Sequence, residues 1–122
     1  MTMSYLYVLL TILLTVYGQI VIKWQVLKVG SLPQETADKI LFMLQLLLNP
    51  WIVSALAAAF LASFFWMAAM TKLQLSHAYP FMGLTFVVVM LASGFFFHEP
   101  ITTLKVVGVA LIVLGLAVAS QG

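Results

Sequence analysis

Residues 78–120 read AYPFMGLTFVVVMLASGFFF, then HEP, then ITTLKVVGVALIVLGLAVAS. The first apolar run, residues 79–97, carries no charge, and the second, residues 101–120, carries only Lys105. As a helix with a rise of about 1.5 Å per residue, each run is roughly 28–30 Å long, which matches the hydrocarbon core of a bilayer. The short segment 98–100 leaves room only for a tight connection. The stretch therefore predicts a transmembrane helical hairpin.

The composition of the whole chain agrees with a membrane protein. Of its 122 residues, 65% are hydrophobic and 7% are charged, and the mean hydropathy is +1.20. So few charges could not solvate the surface of a soluble domain of this size. A net charge of +2 is too small to indicate nucleic-acid binding, and the absence of cysteine excludes disulfides and cysteine metal sites. The N-terminal apolar run is too long for a signal peptide, so we expect it to remain as a helix.

Two more apolar runs precede the hairpin, and an amphipathic stretch at residues 34–48 separates them. This stretch is predicted to lie in the membrane interface, or alternatively to extend the second span. The predicted spans are residues 5–24, 51–70, 79–97 and 101–120. We therefore predict an all-α integral membrane protein, a single domain over residues 1–122 with four transmembrane helices and an interfacial helix between the first two.

The first span has one polar face, formed by Thr11, Thr15, Gly18, Gln19 and Lys23 at spacings of three or four residues. An amide in a membrane helix usually faces protein or water. Gln19 therefore either bonds to a neighbouring helix or lines a substrate path together with Thr15. Lys23 either extends to the membrane interface or binds an anion.

Two further polar residues flank the third span. Tyr79 is either an anchor at the membrane interface or a hydroxyl group in a pocket. Glu99 precedes Pro100, which suits the first turn of the fourth helix, so Glu99 can complement the positive end of that helix. The alternative is direct contact of Glu99 with a substrate or a coupling cation.

The sequence contains no nucleophile–base pair, no phosphate-binding loop and no cluster with metal-ligand spacing. We therefore expect neither an enzyme nor a bound metal or cofactor. Four helices are too few to enclose a transport path, so we expect a dimer. Its contact face on the fourth span is predicted from small and aliphatic residues at helical spacing. These residues are Gly108, Leu111, Ile112 and Gly115. No carboxylate lies within a span, which argues against proton-driven export of cations.

Four motifs together resemble one known family. They are residues 16–19 with Lys23, Ala-Tyr-Pro at residues 78–80, His-Glu-Pro at residues 98–100, and the small-residue pattern of the fourth span, which is similar to the dimerisation pattern of the small multidrug resistance transporters. The chain resembles the small four-helix EamA-like flippase subunits of the drug/metabolite transporter superfamily, which are related to the small multidrug resistance transporters. The resemblance implies a multidrug-resistance-like bundle in the bacterial inner membrane. It also implies a homodimer, or a heterodimer with a paralogous subunit.

Two positions depart from the multidrug family. The essential glutamate of its first helix aligns with Thr15, and a tryptophan of its third helix aligns with Met82. Both differences favour the flippase-like relatives, which are implicated in moving undecaprenyl-phosphate-linked aminoarabinose. The resemblance then implies that the polar head of a polyprenyl-phosphate-linked lipid slides along Thr15, Gln19 and Tyr79, with Lys23 as the candidate for its phosphate.

Three functional hypotheses follow from the sequence. The favoured one is a flippase, or a flippase subunit, for a polyprenyl-phosphate-linked sugar or a similar membrane lipid. The second is a small-molecule or multidrug exporter, which a buried carboxylate would have favoured. The third is a membrane partner that assembles with a transporter without transporting anything itself. The continuous polar face of the first span argues against this third hypothesis.

Overall fold

The computed structural model describes residues 2–122, and its side chains from Met3 onward. Every regular element in this range is helical. The helices are α1 (Thr2–Val29), α2 (Thr36–Leu47), α3 (Pro50–Met70), α4 (Leu75–Ala78), α5 (Leu84–Phe97) and α6 (Thr103–Ala119). A 3₁₀ segment, Tyr79–Gly83, joins α4 to α5.

Three of these helical stretches are long and apolar enough to cross a membrane. They are Met3–Val29, Pro50–Met70 and the continuous stretch Leu75–Phe97, while α6 is a shorter apolar helix of 17 residues. With its 28 residues, α1 is about 42 Å long and exceeds the roughly 30 Å hydrocarbon core. The prediction of an all-α membrane protein is therefore confirmed.

The main helix pair is α1 with α3, and small residues allow the two to lie close together. A Cβ added to Gly18 would lie 3.3 Å from the carbonyl oxygen of Ala55. Ala55, Ala58 and Ala62 are all buried on the facing side of α3. In lipid, helices associate through such close packing rather than through the hydrophobic effect, so this seam of small residues explains why α1 and α3 pack more extensively than any other pair of helices in the described chain.

The breaks between helices follow from individual residues. Asn49 caps α3, because its side-chain oxygen accepts a hydrogen bond of 2.8 Å from the Trp51 amide, and Pro50 occupies the first turn. The cap ends any continuation of α2 into α3. Pro80 has no amide hydrogen to donate, and the chain around it tightens into the 3₁₀ segment before α5 begins.

The start of α6 corrects one expectation. The sequence suggested that Pro100 lies in the first turn of this helix and that Glu99 complements its positive end. In the structure, α6 begins at Thr103, and the Thr102 hydroxyl oxygen accepts a hydrogen bond of 3.2 Å from the Lys105 amide. A threonine side-chain oxygen can accept a hydrogen bond from an amide of the first turn, whereas proline has no side-chain acceptor. Glu99 and Pro100 therefore belong to the loop and not to the helix.

The position of α6 leaves a groove between this helix, α1 and α5. This helix packs against the 3₁₀ segment and, less extensively, against α5. The contact is close at one end, where a Cβ added to Gly83 would lie 3.4 Å from the Ile112 side chain. Towards its other end, α6 stands apart from α1, and a groove separates α1, α5 and α6.

The short helix α2 lies outside this bundle. Its main contact within the described chain is with the neighbouring end of α3, and none of its residues is buried. Its apolar side chains Ile40, Leu41, Met43 and Leu44 are exposed. An exposed apolar face of this kind is typical of a site that contacts a membrane or another protein.

Candidate functional site

The groove between α1, α5 and α6 has a volume of about 620 Å³. Its polar and small lining residues are Thr15, Gln19, Thr85, Ser93, Gly94, Glu99, Lys105 and Gly108. Its apolar lining residues are Phe86, Val89, Met90, Pro100, Ile101, Val109 and Ile112. This volume lies within the range of sites that hold a small molecule or part of a lipid.

The two ends of the groove differ in chemistry. Glu99 and Lys105 lie at the end nearest the loop between α5 and α6, whereas Ile112 lies two turns further along α6. Seven residues of helix correspond to about 10 Å along the axis. Over that distance the lining changes from charged to aliphatic, with Val89 and Val109 between the two ends. The groove can therefore accommodate a ligand with a polar head and an apolar tail.

The polar face predicted for the first span divides between two neighbours. Thr11 is buried against α3, where its hydroxyl oxygen lies 3.4 Å from the Ala62 carbonyl oxygen, and Gly18 faces Ala55. Thr15 and Gln19 instead line the groove. The sequence placed all of these residues on one face, but that face is wide enough to serve packing on one side and the groove on the other.

The hydrogen bonds of this face decide what it can offer a ligand. The Thr15 hydroxyl donates a bond of 2.7 Å to the Thr11 carbonyl oxygen of its own helix, so only its oxygen lone pairs remain free to accept. Within residues 2–122 the Gln19 amide has no hydrogen-bond partner. An amide carries both donors and an acceptor, so Gln19 is the more versatile of the two groups.

Lys23 and Glu99 connect α1 to the loop before α6. The Lys23 Nζ lies 3.8 Å from the Glu99 Oε1, and the side chains are 50% and 39% exposed, respectively. An exposed ion pair of this kind contributes only about 0–1 kcal/mol to stability. The pair therefore places two opposite charges at the mouth of the groove without holding them rigidly.

The backbone at His98 brings Glu99 to this position. His98 ends α5 with φ = 54°, the left-handed conformation that commonly terminates a helix. The Glu99 amide then donates a bond of 3.4 Å back to the Ser93 carbonyl oxygen. The chain reverses sharply as a result, and the carboxylate of Glu99 faces α1.

Lys105 approaches the same loop from α6. Its Nζ donates a hydrogen bond of 3.0 Å to the Pro100 carbonyl oxygen, and its side chain lines the groove. From the sequence alone, Lys105 is conspicuous only as the single charge of the fourth apolar run. A lone ionisable residue in such a run is itself a signal for a functional site, and that signal could have identified Lys105.

Aromatic residues indicate how deep this end of the groove lies. The rings of Trp24 and Trp51 are in edge-to-face contact at 5.1 Å, and the Lys28 Nζ lies 4.3 Å from the Trp24 ring centre. Tryptophan and lysine pairs of this kind concentrate where a membrane meets water. Lys23 precedes Trp24 in the chain, so the charged end of the groove lies at the same end of the bundle as these aromatic residues.

Tyr79 lies near the opposite end of the bundle and is not among the groove-lining residues. It is 63% exposed and contacts the Trp66 ring edge to face at 5.9 Å. At this same end the Tyr5 hydroxyl lies 2.9 Å from the His77 Nε2. Of the five residues predicted to bind substrate, the structure brings together four, Thr15, Gln19, Lys23 and Glu99.

The four residues predicted as a dimer contact do not share one environment in the single chain. Gly108 and Ile112 line the groove, whereas Leu111 and Gly115 are exposed on the outside of α6. A Cβ added to Gly108 or to Gly115 would meet no atom within 4 Å. Gly108 and Gly115 are thus both free of close contacts, Gly108 on the groove side of α6 and Gly115 on its outer side.

Two buried polar groups had no place in the sequence analysis. The Thr85 hydroxyl is buried beside the groove and has no partner within residues 2–122. Gln25 is also buried, and its side-chain oxygen accepts a bond of 3.0 Å from the Asn49 amide. Gln25 lies seven residues, or two helical turns, after Gly18 on the side of α1 that faces α3, so following that side of the helix would have found it.

Comparison with known proteins gives a consistent result. The chain is similar to proteins named probable 4-amino-4-deoxy-L-arabinose-phosphoundecaprenol flippase subunit ArnE. The relative from Aeromonas hydrophila is 33% identical and the match covers 93% of both chains. The relative from Serratia proteamaculans is 35% identical over 98% of this chain and 97% of its own, and that from Proteus mirabilis is 30% identical over 98% of both.

No protein-family model and no solved structure matches the chain. The relatives nevertheless align over nearly their whole lengths and over nearly all of this chain. The resemblance that the four sequence motifs indicated is thereby confirmed. The chain belongs to the family of ArnE flippase subunits.

Proposed function

We propose that this chain is one subunit of a flippase that moves a polyprenyl-phosphate-linked sugar across a bacterial inner membrane. The observation that carries the proposal is the groove between α1, α5 and α6, which has two charged residues at one end and a mainly apolar lining with a few uncharged polar groups along the rest. A polyprenyl phosphate has the same division between a charged head and a hydrocarbon chain. The printed names of the relatives support this substrate class.

In this proposal each part of the groove meets one part of the lipid. The phosphate lies at the charged end, where Lys23 provides a positive charge beside Glu99. The sugar contacts Gln19 and Thr15, whose free amide and oxygen lone pairs suit hydroxyl groups. The hydrocarbon chain extends past Val89 and out between the helices into the bilayer.

Tyr79 belongs to a later stage of the movement. It lies at the end of the bundle opposite Trp24 and Trp51, with its ring largely exposed. The headgroup would therefore meet Tyr79 only when it reaches the other interface. No bond is made or broken during this movement, so no catalytic group is needed. A difference in lipid concentration between the two leaflets is a sufficient driving force.

We further propose that α6 is a fourth membrane span and that residues 1–122 form one transmembrane domain. Its 17 residues give about 25 Å of helix, at the lower limit for a span. The exposed apolar side chains of α6, such as Leu104, Leu111 and Val118, suit contact with lipid. In the same arrangement α2 lies flat in the interface, which covers its exposed face.

A second subunit is part of the proposal. The groove is closed by α1 and α5 but is open along α6, so a single chain does not surround the headgroup. A homodimer or a heterodimer with a paralogous subunit would close it, with Gly108, Leu111, Ile112 and Gly115 on the contact helix. The names of the relatives, which call each a flippase subunit, support an assembly of more than one chain.

The proposal is tested by measuring movement across the bilayer of proteoliposomes. The vesicles contain either the full chain alone or the full chain with any membrane protein that co-purifies with it. The probes are a fluorescent short-chain polyprenyl phosphate sugar and a cationic dye, each with and without a pH gradient. We expect movement of the lipid that does not depend on the gradient. Movement of the dye alone, driven by the gradient, would favour an exporter and contradict the proposal.

A further inference from the structure

Three charged side chains converge on a single turn of the loop between α5 and α6. The Lys23 Nζ lies 3.8 Å from the Glu99 Oε1, and the Lys105 Nζ donates a bond of 3.0 Å to the carbonyl oxygen of the next residue, Pro100. The two ammonium groups therefore approach adjacent residues from different helices. Together the three side chains carry one net positive charge.

The two lysines are held in different ways. Lys23 already has a carboxylate partner, whereas Lys105 is bonded to a neutral carbonyl oxygen. Within residues 2–122 no carboxylate lies within 4 Å of Lys105. Its positive charge is therefore not compensated, although it lines a largely apolar groove. A lysine ammonium binds phosphate as a point charge, so Lys105 is ready to receive an anion.

Glu99 is equally available for a positive ligand. Its ion pair with Lys23 is long, and the Glu99 side chain remains 39% exposed. Among residues 2–122 no side-chain or backbone group donates a hydrogen bond to that carboxylate. A carboxylate has room for several hydrogen bonds, so Glu99 can accept them from a ligand. It faces the same groove as Lys105.

We propose that Glu99 is the residue that selects lipid phosphates whose sugar carries a charged amine, while Lys105 anchors the phosphate. This inference rests on the proposed flippase function. When such a headgroup enters, its amine replaces Lys23 at the Glu99 carboxylate. Lys23 is then free to join Lys105 at the phosphate. After this exchange every charge of the protein and of the headgroup has a partner of opposite sign.

A lipid whose sugar is neutral cannot drive the same exchange. Its phosphate binds Lys105, but Glu99 keeps Lys23, so the second positive charge stays away from the phosphate. The neutral lipid therefore gains one ionic contact, whereas the amino sugar forms three and breaks only the one between Lys23 and Glu99. Sites that bind a polar group of one substrate discriminate strongly against analogues that lack it. Because the Glu99 side chain is partly exposed, we expect a preference of about tenfold rather than more.

The experiment compares two lipids that differ only in this charge. One is a fluorescent short-chain polyprenyl phosphate that carries 4-amino-4-deoxyarabinose, and the other is the same lipid with its amine acetylated. Initial rates of movement are measured in proteoliposomes that contain the full chain together with its co-purifying subunit. The variants are Glu99→Gln, Lys105→Met and, as a matched control outside the groove, Lys72→Met.

We expect Glu99→Gln to remove the roughly tenfold preference and to speed the acetylated lipid, because Lys23 loses its partner and can join Lys105 at the phosphate of either lipid. Lys105→Met should slow both lipids to a similar extent, because both carry the phosphate. Lys72→Met should change neither rate, since this exposed lysine follows α3 and does not line the groove. Size-exclusion chromatography checks that each variant is folded.

Two outcomes would overturn the inference while the flippase function stands. One is equal wild-type rates for the two lipids, and the other is a preference that survives in Glu99→Gln. If Glu99→Gln does not fold, Glu99→Asp decides instead, because it keeps the charge but withdraws it from the amine. It should show an intermediate preference, and an unchanged one would count against Glu99. If the wild type moves neither lipid, the proposed function itself fails.

Discussion

At the scale of single residues, Gln19 is the clearest example of a group that the fold leaves free for a ligand. It lines the groove, and no other group within residues 2–122 satisfies its amide. Gln25, two turns later on the same helix, is by contrast bonded to Asn49 and serves helix packing. Two glutamines of one helix thus have different tasks, which residue type alone does not reveal.

Replacement of Gln19 tests this assignment. We expect Gln19→Leu to lower the rate of lipid-linked sugar movement about tenfold, because a hydrogen bond to the headgroup is worth about 1–1.5 kcal/mol. Folding should be unaffected, since no group in the described chain loses a partner. Rates are measured in proteoliposomes, with the exposed Gln74→Leu as a control that should behave like the wild type. A wild-type rate in Gln19→Leu would exclude Gln19 from the path.

His98 matters through its backbone rather than its ring. Its left-handed conformation turns the chain so that Glu99 meets Lys23. We expect His98→Val to slow the movement of the lipid and to lower the free energy of unfolding by about 1–2 kcal/mol, because a β-branched residue is strained in this conformation. His98→Gly adopts this conformation freely and should retain wild-type movement. If both variants lose movement equally, the ring of His98 is needed and the backbone explanation is wrong.

At the scale of elements, the sequence predicted that the chain is helical and apolar but not how the helices face one another. Long apolar runs show that a helix forms because backbone groups in lipid must be bonded internally. They do not show the rotation of a helix about its axis when all its sides are apolar, as in α5. Lys23 and Glu99 are 76 positions apart in the chain, and whether they meet depends on how the helices between them are rotated. The sequence also contained the signal for the Thr102 cap, but the prediction placed the start of α6 at Pro100 instead.

The small helix α2 gives a prediction at this scale. Since its apolar face is exposed in the single chain, we expect it to lie in the headgroup region of the membrane. The chain has no cysteine, so a fluorescent label attached to Leu44→Cys reports on one position. Quenchers placed near the lipid headgroup should quench it more than quenchers deep in the acyl chains. A label at Leu13→Cys, in the middle of α1, should show the reverse order.

At the scale of the whole molecule, the open side of α6 predicts an assembly. The groove is bounded by three helices of one chain and lacks a fourth wall. Gly115 lies on the outside of α6 with no atom within 4 Å of an added Cβ, so the single chain tolerates a larger residue there. The open position is where a second subunit can approach closely.

We therefore expect Gly115→Leu to reduce crosslinking between subunits while each chain remains folded. The measurement is the yield of crosslinked dimer in native membranes, with single cysteines introduced on α6. Ala59→Leu, at an exposed position of α3, is the matched control and should leave the yield unchanged. An undiminished yield in Gly115→Leu would place the contact elsewhere than on this side of α6.

The measurement that most directly tests the groove as the lipid path is photolabelling with a polyprenyl phosphate sugar that carries a diazirine in its chain. The labelled peptides are then identified by mass spectrometry, with and without excess unlabelled lipid. We predict competable labels on the groove side of α5 and α6, at Val89, Met90 and Val109. Labels confined to the outer face of α1 and α3, at Leu13 and Phe60, would contradict the groove as the path.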